Sequence, residues 1–502
     1  MKIRHLALII IGALLISSFQ KKKELDKPNL IFILVDDLGK EWISCYGAEN
    51  IETKRIDALA ENGIKFSNVY SMPQCTPSRV ALMTGQYPYE NGWVDHFDVP
   101  RWGHETRFDP FKNPVFAQEL RKNGYKTCIA GKWQINDFRI EPEAVVNAGF
   151  DEYCMWTGAE GGDNVKKSGS RYWNPYIHTK SGSQTYENQF GPDIFSDFII
   201  NFMEENRDDP MCIYYPMVLT HAPFVHTPHE PNAKTTIEKH EAMLRYTDYI
   251  IGKIVDAVDS LKLTDNTYLV FTTDNGTSPK IIGAKDGVFI KGGKGFLSQN
   301  GIDAPFIVKT PHKAQVNKVS DALVDFTDVF PTFLDLAGID RQEKNELNGK
   351  SFASVLRGKS ETGEREWNLA MGSHPAGIDK NGKIKNYNTF RDRVLYDGKY
   401  KIYVDTLQVI YRIFDLENDP YEHKNLILET GEVENVLAKY QPIVDNLPDE
   451  DNQPKYKKSG KSYYDIPVNK INNISKKGHI QMRNMLPLVT KEQYLKQWKK
   501  KK

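Results

Sequence analysis

Short apolar runs rich in β-branched residues recur along the chain, and between them hydrophobic positions fall at helical spacing, the signature of a parallel sheet with helices on its faces. Leu30-Ile31-Phe32-Ile33-Leu34-Val35 is the clearest run. Its unbroken hydrophobicity predicts a strand buried on both sides, and it stops abruptly at Asp36-Asp37. Tyr268 to Thr273 repeats the design and stops at Asp274-Asn275-Gly276. Val115 to Leu120 reads as a helix stopped at Gly124, followed by a strand through Ala130 that runs into Gly131-Lys132. Met211 to Val218 leads into Thr220-His221. Polar residues thus gather where strands finish, and in open α/β sheets ligands bind outside those carboxyl ends. The fold class expected is α/β, with a large, mostly parallel central sheet flanked by helices and its site assembled from distant segments.

The pattern changes after Leu356-Arg357-Gly358, where a polar segment precedes short strands. Val394 to Val404, with Asp397-Gly398 at its middle, predicts a hairpin, and Ile410 to Leu416 extends the meander. A domain boundary near residue 362 separates a catalytic unit, residues 26–362, from a smaller C-terminal α+β unit, residues 363–502, with an antiparallel sheet. The lysines from Lys455 to Lys461 and from Lys499 to Lys502 are expected in a solvated, partly frayed tail.

Charge narrows the function. Lys+Arg and Asp+Glu both number 66, so nothing in the global balance points to nucleic acid, and an anionic ligand must be held by local clusters. At the start, Lys2 and Arg4 precede an apolar run from Leu6 to Leu15. This reads as an export signal over residues 1–25, too short for a membrane span of about 20 apolar residues, and no stable membrane insertion is expected. The expected location is periplasmic or secreted. The five cysteines (Cys45, Cys75, Cys128, Cys154 and Cys212) have no spacing typical of a zinc site or disulfide framework. Cys128 and Cys212 lie in apolar runs as small hydrophobes, and a Cys45–Cys154 pair stays open.

Cys75 is different. In Cys75-Thr76-Pro77-Ser78-Arg79, Thr76 is a good helix N-cap, Pro77 suits the first helical position, and Gly85 is a plausible stop. Cys75 is thereby expected at a helix N-terminus, where free N–H groups and the dipole stabilise an anion. Arg79 nearby implies an anionic partner. Cys75-Thr76-Pro77-Ser78-Arg79, with Leu82, Thr84 and Gly85, resembles the signature of the formylglycine-dependent sulfatases. The likeness continues through Leu30 to Asp37, Gly131-Lys132-Trp133, His221-Ala222-Pro223-Phe224, Thr273-Asp274-Asn275-Gly276, Lys291 to Gly295 and Phe414 to Pro420, in the family's order.

The resemblance implies an alkaline phosphatase-like fold and a sulfuric ester hydrolase. A maturation enzyme would oxidise Cys75 to formylglycine, whose hydrated aldehyde attacks sulfur and then expels sulfate. Asp36, Asp37, Asp274 and Asn275 offer only hard oxygens, a set that favours calcium or magnesium; the family implies calcium, with residue 75 as a further ligand. Lys132 and Lys294 would hold sulfate oxygens, Arg79 would orient the modified residue, and His221 would donate a proton to the leaving oxygen. The family usually places a histidine two residues after its Gly-Lys, but this chain has Gln134 there, which hydrogen-bonds without taking a proton. His96, His104, His221 or an aspartate is then left to serve as base. Gln134 itself would contact substrate.

Trp93, Trp102, Trp156, Tyr172 and Trp173, with Arg101, Arg107, Lys166, Lys167 and Arg171, fit a sulfated polysaccharide or oligosaccharide, although packing and solvated charge explain them equally well. Two other readings compete: a phosphate- or phosphonate-ester hydrolase with the same site, and an exported glycan-binding protein whose Cys75 stays unmodified.

Overall fold

In the computed structural model, Leu30, Phe32 and Leu34 point into one apolar layer while Ile31, Ile33 and Val35 point into the other. This two-residue alternation with both faces covered is why the segment reads as continuously hydrophobic. The structure describes residues 27–94, 106–136, 138, 140–156, 171–311, 315–341, 347–372, 377–378, 384–385, 390–428, 432–452, 456–458 and 487–498. The expected export signal lies outside these residues, as do His96, His104, Arg101, Trp102, Lys166 and Lys167. No described helix is long and apolar enough to cross a membrane.

Among the described residues, ten strands form the main sheet. From one edge its order is Lys318–Asp325, Ile64–Tyr70, Phe306–Lys309, Thr267–Thr273, Asn29–Val35, Met211–Pro216, Lys126–Lys132, Glu152–Trp156, Tyr176–Thr179 and Gly182–Thr185. The run from Thr267–Thr273 to Glu152–Trp156 is parallel throughout. Phe306–Lys309 is antiparallel to both neighbours, and the strands after Glu152–Trp156 alternate in direction. The sheet is thus mixed overall and parallel at its centre.

Helices Cys75–Thr84, Phe116–Lys122 and Val329–Leu336 cover one face; Lys54–Glu61, Gly191–Glu205 and Thr236–Ser260 cover the other. Replacing a central residue such as Ile33, which is fully buried, with alanine would cost about 2–5 kcal/mol in lost transfer energy and cavity formation. Register sets the height at which neighbouring strands end. Val35 lies opposite Thr273, so Asp36-Asp37 and Asp274-Asn275 leave adjacent parallel strands at the same level.

Toward the C-terminus, Asn368–Met371, Arg393–Tyr396, Tyr400–Val404 and Ile410–Asp415 form a four-stranded antiparallel sheet backed by helix Glu432–Asp445. The Asp397-Gly398 turn forms as the sequence predicts: Asp397 Oδ1 accepts the N–H groups of Lys399 and Tyr400, and Gly398 adopts a φ of 99°. Tyr70, Met72, Tyr87 and Tyr89 of the larger unit join the same apolar cluster.

Two described parts of the chain end depart from the expectation of a solvated tail, while Lys455, Lys461 and Lys499 to Lys502 lie outside the described residues. Tyr456–Lys458 pairs with Thr106–Phe108, Leu488–Val489 adds to the edge at Val288–Lys291, and Tyr494 stacks on Phe289 with ring centres 4.6 Å apart. A few apolar and backbone-pairing positions among the lysines are enough to dock it, because sheet edges offer unpaired N–H and C=O groups.

Candidate functional site

Helix Cys75–Thr84 begins two residues earlier than its sequence suggests. Gln74, not Thr76, holds the N-cap position, and Pro77 is the third helical residue. Ser78 fixes this start. Its hydroxyl lies within hydrogen-bond distance of the Met72 and Gln74 carbonyls and accepts the Met72 N–H. Cys75 stands at the exposed-donor end of the helix dipole, yet all ten helical residues are buried in protein. Gly85 closes the helix in the left-handed region, at φ 66°.

Three cations meet three carboxylates around Cys75. Arg79 donates to Asp274 Oδ2 from Nη2 at 2.6 Å and from Nε at 3.1 Å, and lies 3.7 Å from Asp36. Lys132 Nζ donates to Asp36 Oδ2 at 2.7 Å. Lys294 Nζ lies 2.6 and 2.8 Å from the two oxygens of Asp37. The four strand-end segments named by the sequence pattern have therefore converged. Gly131 permits one of these contacts: its φ is 111°, and a Cβ there would meet the Pro216 carbonyl oxygen at 2.2 Å.

Burial opposes ionisation of Asp36, but Lys132, His221, Arg79 and Lys294 together outweigh it and hold its carboxyl well below the ordinary range. Asp37 is raised because burial, with Asp36 and Cys75 beside it, exceeds the pull of Lys294. Asp274 is raised further, by burial and by the charge of Asp36. His221 is pushed well below its usual value by burial and by Lys294, which keeps the imidazole neutral. Its Nδ1 lies 2.5 Å from the Ala222 carbonyl, so that nitrogen carries the proton, and Nε2 faces Asp37 Oδ2 at 3.7 Å.

The donor set suits a hard cation. Asn275 donates its amide N–H to Asp37 Oδ1 and to the Gly276 carbonyl, both at 2.9 Å, which turns Oδ1 away as an acceptor. That Oδ1 and Asp36 Oδ1 are buried without a hydrogen-bond partner, a costly state that a cation would relieve. Ligand atoms of Asp36, Asp274 and Cys75 lie within 4.8 Å of one another, as do those of Asp36, Asp37 and His221. Asp36, Asp37, Asp274 and Asn275 can hold calcium or magnesium here, with Cys75 Sγ marking where an oxygen of a modified residue 75 would approach.

Gln134 belongs to the same site. Its Nε2 lies 3.5 Å from Cys75 Sγ, and its backbone turns through the left-handed region at φ 76°.

Sequence reasoning missed Thr277. Its hydroxyl accepts the Gly39 N–H at 2.8 Å, while its carbonyl accepts the Lys294 N–H at 3.0 Å. One threonine thus ties together the loops carrying Asp37, Asn275 and Lys294. Only its closeness to Asn275 in sequence signalled this, and threonines are too common for that to decide.

Most of the aromatic residues offered as sugar platforms are packing residues instead. Trp93 and Trp156 are buried, Tyr172 is 1% exposed, and Arg107 is fully buried. Half-buried Trp173 stacks on His226. None of the five cysteines is in a disulfide, so Cys45 and Cys154 do not pair, and burial pushes both thiols up to about 12.

Residues 28–339 match the sulfatase domain family, and residues 288–449 match the family described as N-sulphoglucosamine sulphohydrolase, C-terminal. The chain belongs to the sulfatase family. This sulfatase is 26% identical over 449 residues to an ulvan-active sulfatase of Formosa agariphila, covering 80% of this chain and 76% of that protein. It is 28% identical over 483 residues to an N-acetylgalactosamine-6-O-sulfatase of Bacteroides thetaiotaomicron, covering 82% and 92%. The crystal structure of Ps i-CgsB superposes with a TM-score of 0.70 at 22% identity, covering 91% of this chain and 98% of that one. The sulfatase is accordingly a sulfuric ester hydrolase with the alkaline phosphatase-like fold.

Proposed function

We propose that this sulfatase, once exported, removes sulfate groups from a sulfated polysaccharide or oligosaccharide, using a formylglycine derived from Cys75 and a bound calcium ion. The observation that carries this reading is the placement of Cys75 at a helix N-terminus, with its Sγ among the oxygens of Asp36 and Asp274 and beside Gln134 Nε2. Export is argued from the short apolar run near the N-terminus. The carbohydrate is argued from relatives whose names specify ulvan and N-acetylgalactosamine 6-sulfate.

Asp36, Asp37, Asp274 and Asn275 hold the cation, which when bound supplies a positive charge for sulfate oxygens and for an oxygen on residue 75. Formylglycine at position 75, made by a maturation enzyme, supplies a hydrated aldehyde with two hydroxyls on one carbon. Arg79 holds Asp274 in place by donating from both Nε and Nη2 to its Oδ2. Lys132 and Lys294 turn their ammonium groups from Asp36 and Asp37 toward the sulfate oxygens and offset charge that grows as the ester bond breaks. His221 places Nε2 at the leaving sugar oxygen, with Nδ1 fixed on Ala222, and must take up a proton at Nε2 before it gives one to that oxygen. Gln134 donates a hydrogen bond at residue 75.

The test is to produce the protein with and without a formylglycine-generating enzyme, read the state of residue 75 by peptide mass spectrometry, and assay sulfate release from a panel of sulfated oligosaccharides. Release is expected only from the modified protein and only with calcium restored after chelation. Equal release from unmodified Cys75 protein would reject the nucleophile, and activity on phosphate esters alone would favour the phosphoryl alternative.

A further inference from the structure

Arg171 carries a buried positive charge that sulfate-ester cleavage does not use. It is 7% exposed, and its Nε and Nη1 are buried without a hydrogen-bond partner. No carboxylate among the described residues lies within ion-pair distance of it. A guanidinium in this state is costly, since neither solvent nor protein replaces its lost hydration. The three other cations of the site are each committed, Arg79 to Asp274, Lys132 to Asp36 and Lys294 to Asp37.

Its position is set by the active-site walls. The guanidinium carbon lies over the Trp156 ring, 4.0 Å from its centre, a cation–π contact that restrains the fork. Trp156 stands opposite Lys132 across the parallel pairing of Lys126–Lys132 with Glu152–Trp156. On the other side, the next residue, Tyr172, donates its hydroxyl to the carbonyls of His221 at 2.5 Å and Val218 at 2.7 Å. Arg171 is thus held between the segment bearing Lys132 and the segment bearing His221, and its charge is among those that keep His221 neutral. The chain is locked there from behind: a Cβ on Gly191 would meet the Arg171 carbonyl oxygen at 2.3 Å.

Asp36, Asp37 and Asp274 balance Arg79, Lys132 and Lys294 one for one. A divalent cation then supplies more than enough charge for one sulfate monoester, so Arg171 is surplus to the group being cleaved. We propose that Arg171 reads a second oxyanion on the substrate, a carboxylate or a further sulfate on the sugar that bears the scissile sulfate or on its neighbour. A planar, pre-oriented fork with free N–H groups suits two-pronged recognition of either group. A neutral monosulfated sugar would leave the charge unmatched. This inference rests on the proposed glycan sulfatase activity and narrows its substrates to those with a second anionic group.

The test compares matured wild type with Arg171→Gln and Arg171→Lys on three disaccharides sharing one scissile sulfate: one otherwise neutral, one with a uronate, and one with a second sulfate. For Arg171→Gln we expect KM to rise about tenfold or more on whichever dianionic sugar is the ligand, with kcat within about twofold and little change on the neutral one. The uronate and second-sulfate arms identify the oxyanion. Arg171→Lys should recover part of the loss. The thermal midpoint of Arg171→Gln should not fall, because the arginine leaves no partner stranded. An equal loss on all three sugars, or none on any, overturns the proposal. If matured wild type releases no sulfate from any sugar, the glycan sulfatase reading fails. Calorimetric binding of the same dianionic disaccharides to wild type and Arg171→Gln still decides on Arg171: weaker binding to the variant supports the proposal and equal binding ends it.

Discussion

Gln134 points its side-chain amide at Cys75, with Nε2 3.5 Å from Sγ. An amide can donate there but takes no proton at neutral pH. Its contribution at residue 75 is therefore a hydrogen bond, worth about 0.5–1.5 kcal/mol net. Gln134→Ala should lower kcat by roughly twofold to tenfold, and Gln134→His should keep turnover. Complete loss in the histidine variant, with residue 75 modified and the fold intact, would give Gln134 an indispensable role.

Calcium should stabilise the fold. With the buried Oδ1 atoms of Asn275 and Asp36 lacking partners, a cation that binds only the native site adds about 2.7 kcal/mol at a free concentration of about 100 times Kd. Chelated protein should unfold at lower temperature, and calcium should restore the midpoint. Asn275→Ala should blunt the response, which a calcium titration followed by calorimetry measures.

Thr277 should matter to that response without being a ligand. Thr277→Val keeps the shape but strands the buried Gly39 N–H, at a cost of about 1–3 kcal/mol. Residues that orient metal ligands typically shift affinity by about tenfold to a hundredfold. Calcium Kd should rise by that order in Thr277→Val and recover in Thr277→Ser. An unchanged Kd with lowered stability would reduce Thr277 to a purely structural bond.

Glu41 should give stability a pH dependence. Burial raises its carboxyl from the ordinary 4.5 to about 7, against the pull of Thr277. The native state holds this proton more tightly than the unfolded chain. Its contribution is full below about pH 4.5 and is lost as pH rises through about 7, roughly 3 kcal/mol across the window. His240, buried beside Trp42 and pushed down to about 3, loses stability in the opposite direction as pH falls below 6.5. The wild-type curve alone therefore mixes the two. Urea unfolding of wild type minus Glu41→Gln should slope between pH 4.5 and 7, and a flat difference would remove Glu41 as the cause.

The central strands, the helix at Cys75 and the turn at Asp397-Gly398 were legible in the sequence because each is governed by local spacing, capping or turn chemistry. The family likewise rests on short motifs that survive as strings of residues. The helix start slipped by two residues because the Ser78 bonds to Met72 and Gln74 outrank intrinsic cap preference. The tail escaped because a two-residue strand, Leu488–Val489, gains its stability from the edge it joins.

What the sequence by itself determined is the chemistry on offer: a cysteine at a helix start, hard oxygens after two apolar strands, and lysines after two more segments. The tertiary structure decided which of these face one another. Parallel register set Asp37 beside Asn275, burial turned Trp93 and Trp156 from candidate sugar platforms into core, and long-range bonds through Thr277 and Tyr172 fixed the loops that carry Asn275 and His221. The physical reason is that partners such as Gly39 and Thr277 stand 238 positions apart, a distance no local pattern spans. Only packing can leave Arg171 buried at the site with no acid among the described residues to answer it.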